Sequence, residues 1–245
     1  VHRSRVYRLS PSPDGRVDWK LVYGDARRAK SDLENLFATE TDFKGVADAL
    51  PWRSDPVLAH AIKTCPGLRI LRQPVEQTLL SFLLSPLKRI DQIRAGLLEL
   101  SRRFGTPIQN GFFAPPSWTD LRQPTESDLR SCGIGYRARG IRLTAEFLER
   151  SPGFLDRLSS LATEEARREL IRLPGVGRKI ADCVLLFGLG RLEAFPIDTW
   201  ISRELRESYR LEGFSEEQLH RFAAGHFGEA AGLAQQYLFA SARRR

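Results

Sequence analysis

Two residues capable of covalent chemistry stand close together in the chain, the amine Lys179 and, nineteen positions later, the carboxylate Asp198. Lys179 follows the stretch Leu170-Ile-Arg-Leu-Pro-Gly-Val-Gly-Arg-Lys-Ile-Ala-Asp-Cys183, in which one helix ends at Arg172 and another restarts at about Arg178. In the first turn of that second helix the dipole acts against an ammonium and favours the neutral amine, a nucleophile for an electrophilic carbon. The plainer alternative is a surface lysine that binds phosphate. Asp198 follows Phe195-Pro196-Ile197 at the start of a helix, so it reads first as an N-cap. A carboxylate fixed there can also stabilise a developing positive charge and assist proton transfer at Lys179. Cys183 lies one turn after Lys179 on the same helical face, where a single thiol ordinarily serves as a small buried hydrophobe.

The turn between the two helices suggests a partner. Gly175 and Gly177 allow positive φ and close approach, so the amides of Gly175, Gly177 and Ile180 can face outward as an anion site at a helix start. Such a site would hold a nucleic-acid phosphate without reading sequence. An ordinary turn between two helices, with glycine serving only the bend, would look similar in isolation. A net charge of +8 and a pI near 9.8 favour a polyanion, nucleic acid being the commonest, although a solvated positive face has the same composition. Gln235 and Phe239 share a face of the last helix, where a phenylalanine is more often core. Tyr136 and Arg137 follow Gly135, an aromatic beside a guanidinium.

The elements that must position these residues are mostly helical. Residues 6–9 and 17–23 are β-rich, with turn chemistry in Pro11-Ser12-Pro13-Asp14-Gly15 between them. From Lys30 the apolar period becomes helical and predicts helices over 31–38, 42–49, 55–63, 74–84, 89–104, 118–123, 126–132, 135–149, 153–160, 163–172, 178–188, 198–208, 215–226 and 229–241. The class is therefore mainly α with a β portion at the N-terminus. The one long loop, Thr106 to Trp118, carries Phe112, Phe113, Pro115 and Pro116, which read as packing against the body. Within 245 residues, 42% hydrophobic, a sizeable core can form without staples. The three cysteines, Cys65, Cys132 and Cys183, suggest neither a disulfide framework nor a zinc site, and a reducing, intracellular compartment is expected. No apolar run is long enough to span a membrane, and Val1-His2-Arg3-Ser4-Arg5 lacks the apolar core of a signal peptide. The chain contains no methionine and begins in a strand-like alternation, so a preceding segment is expected.

Five runs stand in the order found in one family: Pro74-Val-Glu-Gln-Thr-Leu-Leu-Ser-Phe82, Gly133-Ile-Gly-Tyr-Arg-Ala-Arg139, Leu173-Pro-Gly-Val-Gly-Arg-Lys-Ile-Ala-Asp-Cys183, Phe195-Pro-Ile-Asp198 and Ala234-Gln-Gln-Tyr-Leu-Phe239. By these the chain resembles the 8-oxoguanine DNA glycosylases of the helix-hairpin-helix superfamily, well over residues 65–241 and loosely over 1–64. The resemblance implies a two-lobed helical fold with a truncated N-terminal antiparallel β portion. Residues 1–28 would be the remnant of a β-domain, and 29–245 the helical glycosylase body with its helix-hairpin-helix at about 163–188. It also implies excision of an oxidised purine from duplex DNA with lyase activity. Lys179 would displace the base at the sugar's anomeric carbon through a Schiff base, assisted by Asp198. Cys183 would pack against the extruded base, Phe239 would stack on it and Gln235 would bond its Watson–Crick edge. Tyr136 would fill the gap in the stack, and Arg137 would face the orphaned base. Main-chain oxygens of Ile171, Leu173 and Val176 would hold a monovalent cation, consistent with carbonyls left over at a helix end. No cofactor is implied. The iron-sulfur relatives are set aside because no cysteine follows Cys183. The expected partner is double-stranded DNA carrying a damaged base, and the expected state is a monomer with no membrane attachment.

The chain departs from that pattern in four places. Ser85-Pro86-Leu87-Lys88-Arg89 replaces an asparagine-rich stretch, so Leu87 stands where an asparagine invades the helix. Gln92 replaces an arginine that reads the opposite cytosine, and Trp200 replaces a phosphate-binding histidine. The β-domain carbonyl that distinguishes oxidised guanine would lie before Val1. Two other functions compete: a hydrolytic glycosylase for alkylated bases, which uses the aspartate without the lysine, and a non-enzymatic DNA-binding module, which needs the glycines but not Lys179, Asp198, Gln235 and Phe239 together.

Overall fold

The computed structural model describes residues 5–13 and 16–244. It opens with an antiparallel hairpin of β1 (Val6–Pro11) and β2 (Val17–Tyr23), in register from Tyr7 opposite Leu21 to Pro11 opposite Val17, with a shift of one residue before Val6, which stands opposite Tyr23. Asp14 and Gly15 of the predicted turn, and Val1 to Ser4 of the expected strand-like start, lie outside the described residues. An Arg5–Asp32 ion pair and the bond from Arg5 Nε to Asp25 O, 2.8 Å long, tie the hairpin to the helical body.

The rest is helical: α1 (Ala29–Leu36), α2 (Phe43–Ala49), α3 (Pro56–Thr64), α4 (Val75–Leu83), α5 (Ile90–Phe104), α6 (Trp118–Arg122), α7 (Glu126–Leu129), α8 (Arg137–Arg150), α9 (Phe154–Arg157), α10 (Thr163–Ile171), α11 (Arg178–Gly188), α12 (Thr199–Ser208), α13 (Glu216–Phe227) and α14 (Ala231–Ala242). Many starts are written locally. Asp42, Asp55, Ser117, Thr125, Asp198 and Ser215 each accept the amide three residues on, which satisfies one of the orphan donors of a first turn.

Three local details differ from the periodicity. The helix expected over 126–132 leaves α geometry after Leu129 for a wider π turn, Arg130–Ile134, where Gly133 and Gly135 take φ of 73° and 61°. These glycines re-aim the chain before Tyr136, a bend that apolar spacing does not encode. The helix expected over 153–160 is the single turn α9 followed by a 3-10 turn, Leu158–Ser160. In the 106–118 loop Pro116 is buried, but Phe112 is exposed rather than packed.

One apolar core runs from Ala38 to Leu238, and α11 lies inside it. Ile180, Ala181, Val184, Leu185 and Leu186 are buried, with α4 and α10 packed on the helix. Each aliphatic side chain removed from water stabilises by about 1.5–3 kcal/mol, so the helix that carries Lys179 is anchored along its length. No helix among the described residues is long and apolar enough to cross a membrane.

Candidate active site

The chain between α10 and α11 is a tight turn. Val176 N donates to Leu173 O at 3.0 Å, and Pro174-Gly175 occupies the middle, with Gly175 at φ 82°. This is the pattern of a type II turn, which requires a residue tolerant of positive φ after the proline. Leu173 and Val176 point into the core. Thr144 Oγ1 of α8 donates to Pro174 O at 3.1 Å, and a Cβ on Gly175 would stand 3.4 Å from Leu83, so α8 and α4 hold the turn from both sides. Gly177 corrects the expectation of positive φ at both glycines, because its φ is −95°. A Cβ there would meet no atom of the protein within 4 Å. Neither strain nor internal packing demands glycine at 177; what glycine leaves there is open space in front of a helix start.

The first helical bond of α11 is Ala181 N to Gly177 O, 3.0 Å. Among the described residues the amides of Gly175, Gly177, Arg178, Lys179 and Ile180 have no acceptor. Unsatisfied amides at the positive end of a helix form an anion site. On the other helix end, the carbonyls of Ile171 and Val176 receive no donor among the described residues, whereas Leu173 O accepts the Val176 amide.

Lys179 reaches from the first turn of α11 toward the end of α4. Its Nζ lies 3.2 Å from Ser85 Oγ and 5.0 Å from the centroid of the Phe82 ring. Cys183 is 2% exposed. Burial pushes its thiol up to about 12, and both Lys179 and Asp198 lie close enough to act on it electrostatically, with Lys179 also in hydrogen-bond contact. The thiol is therefore a protonated, apolar neighbour of the Lys179 amine. Asp198 caps α12, its Oδ1 accepting Ile201 N at 2.8 Å, and Oδ2 has no partner among the described residues. Phe195, Pro196 and Ile197 before it are buried, and Phe195 stacks on Phe227 with centroids 5.6 Å apart. This buried, irregular segment thus delivers the carboxylate to the neighbourhood of Cys183, which Lys179 shares.

Gln235 and Phe239 sit on α14. Gln235 is buried, its Nε2 donating to Pro196 O at 3.1 Å and its Oε1 accepting from Gln236 Nε2 at 2.5 Å. Phe239 is partly buried, with the Arg243 guanidinium 5.5 Å from its ring centroid. Tyr136 is 56% exposed just before α8. Arg137 is not on the surface; it is buried with its guanidinium 4.5 Å from the centroid of the Tyr136 ring, donating to Ile134 O at 3.3 Å. Of the departures, Leu87 is 93% exposed at φ 55°, Trp200 is exposed, and Gln92 turns back so that Oε1 accepts Arg89 N at 3.0 Å. The structure brings Lys179 and Asp198 to Cys183 and links Gln235 to the segment before Asp198. It adds Phe82, Ser85 and Gln236, which spacing could not single out because Phe82 and Ser85 are more than 90 residues from Lys179 in the chain. No group of three or more His, Cys, Asp or Glu side chains able to hold a metal occurs among the described residues.

No family model matches the chain. The N-glycosylase/DNA lyase OGG1 of Arabidopsis thaliana is 32% identical over 202 residues, covering 76% of this chain and 55% of that protein. The structure of MBOgg1 in complex with a low affinity DNA ligand superposes with a TM-score of 0.85 at 31% identity, covering 99% of this chain and 90% of that one. The 8-oxoguanine glycosylase/lyase of Clostridium acetobutylicum, in complex with double-stranded DNA containing cytosine opposite 8-oxoguanine, superposes with a TM-score of 0.84 at 28% identity, covering 97% and 88%. The chain spans between 38% and 55% of the length of the curated relatives it matches.

Proposed function

Because the chain belongs to the N-glycosylase/DNA lyase family of 8-oxoguanine glycosylases, we propose that it removes 8-oxoguanine from double-stranded DNA and cleaves the strand at the site left behind. The observation that carries this reading is the meeting of Lys179 with Asp198 around the buried Cys183, at the end of a hairpin whose amides face outward. In the proposed reaction the neutral amine of Lys179 attacks the anomeric carbon and the glycosidic electron pair leaves with the base. Asp198 stabilises the positive charge that develops on the sugar and assists transfer of the proton that the amine must lose. Opening of the sugar ring gives a Schiff base, loss of the adjacent proton expels the 3′ phosphate, and hydrolysis frees the lysine.

The remaining residues take supporting roles in this reading. The amides of Gly175, Gly177 and Ile180 hold a backbone phosphate, and the open space in front of Gly177 admits it. Tyr136 enters the stack, Arg137 serves the opposite base once Tyr136 has moved off it, Cys183 and Phe239 enclose the extruded purine, and Gln235 reads its edge. A monovalent cation on the carbonyls of Ile171, Leu173 and Val176 would steady the hairpin; two of the three have no internal donor, which suits the donor set. Residues 1–28 read as the remnant of a β-domain attached to the helical body at 29–245, and the protein as an intracellular monomer.

Borohydride reduction during reaction with an 8-oxoguanine duplex should trap a covalent protein–DNA adduct. Lys179→Gln should abolish trapping while DNA affinity persists through the hairpin amides; an adduct surviving in that variant would place the nucleophile elsewhere. A hydrolytic glycosylase would give base release with no adduct, and a binding module neither.

A further inference from the structure

We propose that Gln236 determines base specificity by fixing which way round the Gln235 amide faces, an inference that rests on the reading of Gln235 as the group meeting the base edge. Gln235 is 3% exposed, and both ends of its amide are assigned. Nε2 lies 3.1 Å from Pro196 O, a carbonyl that can only accept. Oε1 lies 2.5 Å from Gln236 Nε2, an amide nitrogen that can only donate. The two contacts demand the same orientation, and after both are made one N–H and one lone pair remain on Gln235.

That remainder is ambiguous unless its order is fixed. A 6-oxo-2-aminopurine presents an acceptor at position 6 and a donor at N1, whereas a 6-aminopurine presents a donor at 6 and an acceptor at N1. A glutamine free to turn by half a revolution matches either edge; one held at both ends matches one and leaves a buried polar group unpaired against the other, which is how large discrimination arises. Among the described residues the Gln236 side chain makes no other hydrogen bond, so no second partner inside the protein competes for its amide. Pro196 supplies one constraint through the chain that carries Asp198, and Gln236 supplies the second from the next residue of α14. It is a positioning residue and need not touch the base.

The test uses the full chain with two variants. Gln236→Glu is isosteric but can only accept, so it repels Oε1 and competes with Pro196 for Nε2; Gln236→Leu removes the contact without charge. Single-turnover excision is measured for 8-oxoguanine and 8-oxoadenine, each opposite cytosine, beside strand cleavage at a preformed abasic site, a step that needs no base reading. The ratio of 8-oxoguanine to 8-oxoadenine excision should fall by about tenfold or more in Gln236→Glu and less in Gln236→Leu, with abasic-site cleavage within about twofold of the parent. An unchanged ratio, or abasic cleavage falling in parallel, overturns the inference. If the parent chain excises neither purine, the proposed function fails and the inference with it; if the parent discriminates and Gln236→Glu discriminates equally, this inference alone fails.

Discussion

Asp198 has its two oxygens in different employment, Oδ1 on the Ile201 amide and Oδ2 without a partner among the described residues, with the carboxylate close enough to Cys183 to act on it electrostatically. Asparagine caps a helix nearly as well as aspartate but carries no charge, so Asp198→Asn separates the two roles. The variant should melt close to the parent yet lose several orders of magnitude in single-turnover excision, roughly 3 to 5 kcal/mol of transition-state stabilisation. A loss of only tenfold would reduce Asp198 to a cap. The opposite base should be read loosely. Leu87 offers no donor, and Gln92 is uncharged and shorter than the arginine it replaces, with its oxygen on Arg89 N, so in the proposed reading Arg137 is the one guanidinium left for cytosine. Each well-placed contact to a base edge contributes about 1 to 3 kcal/mol of discrimination. Excision opposite cytosine should therefore exceed that opposite adenine by a smaller factor than in relatives that keep the asparagine and both arginines. Single-turnover rates with all four opposite bases measure this, and an equally strong preference would assign the reading to other residues.

At the scale of the hairpin, two glycines two positions apart should respond to substitution in opposite ways. Gly175 stands at φ 82° with Leu83 against its missing side chain, whereas Gly177 is extended with open space before it. Gly175→Ala should lower stability by about 1 to 2 kcal/mol, seen as an earlier denaturant midpoint, because an L side chain is strained at that φ. Gly177→Ala should leave the midpoint within about 0.5 kcal/mol and weaken binding to duplex DNA, since its methyl group would stand where a phosphate must come close. Equal loss of stability in both would mean that the space before Gly177 is closed in solution. The same turn shows why α11 holds the Lys179 amine in place: its apolar face is buried over most of its length, α4 and α10 pack against it, and α8 holds the turn before it.

Over the whole molecule, α10, α11 and α13 are joined by a charge cluster in which Arg167, Asp182 and His220 are buried and the glutamates are exposed, and its two shifted groups have opposed titrations. Arg167 Nε donates to Asp182 Oδ1 at 2.6 Å and also pairs with Glu164; Arg178 bonds Glu217 at 2.8 Å and His220 lies 3.9 Å from Glu216. Burial raises Asp182 from 3.8 to about 6, and burial together with the two arginines lowers His220 from 6.5 to about 4. For Asp182 the folded state holds its proton more tightly, so this contribution to stability is present below about pH 4 and is lost as pH rises through about 6. For His220 the folded state resists protonation, so its contribution is present above about 6.5 and is lost as pH falls through about 4. Each is on the order of 3 kcal/mol and they run against each other. Between pH 4.5 and 6.5, on the order of the window set by these values, His220→Gln should therefore gain stability on acidification relative to the parent, and Asp182→Asn should lose it. Melting curves across that range that stay parallel in all three proteins would show that neither group titrates as described.

Much of this protein is legible along the chain because the signals are local. Caps such as Asp55, Ser117 and Thr125, the apolar period of 3.6 and the Pro-Gly turn place nearly every helix within a residue or two, and the ordered runs around Lys179 and Asp198 identify the family. Local rules fail where a neighbour distant in sequence decides. Whether a glycine needs positive φ depends on the turn it closes, so Gly175 and Gly177 look alike until the chain is folded. Ser85 meets Lys179 across 94 residues, and the Gln235 amide is oriented by Pro196, 39 residues away. Residue type and spacing determined which groups could react; which of them meet, and which face each presents, was decided by packing, because contact between remote segments is a property of the shared core and not of any window of sequence.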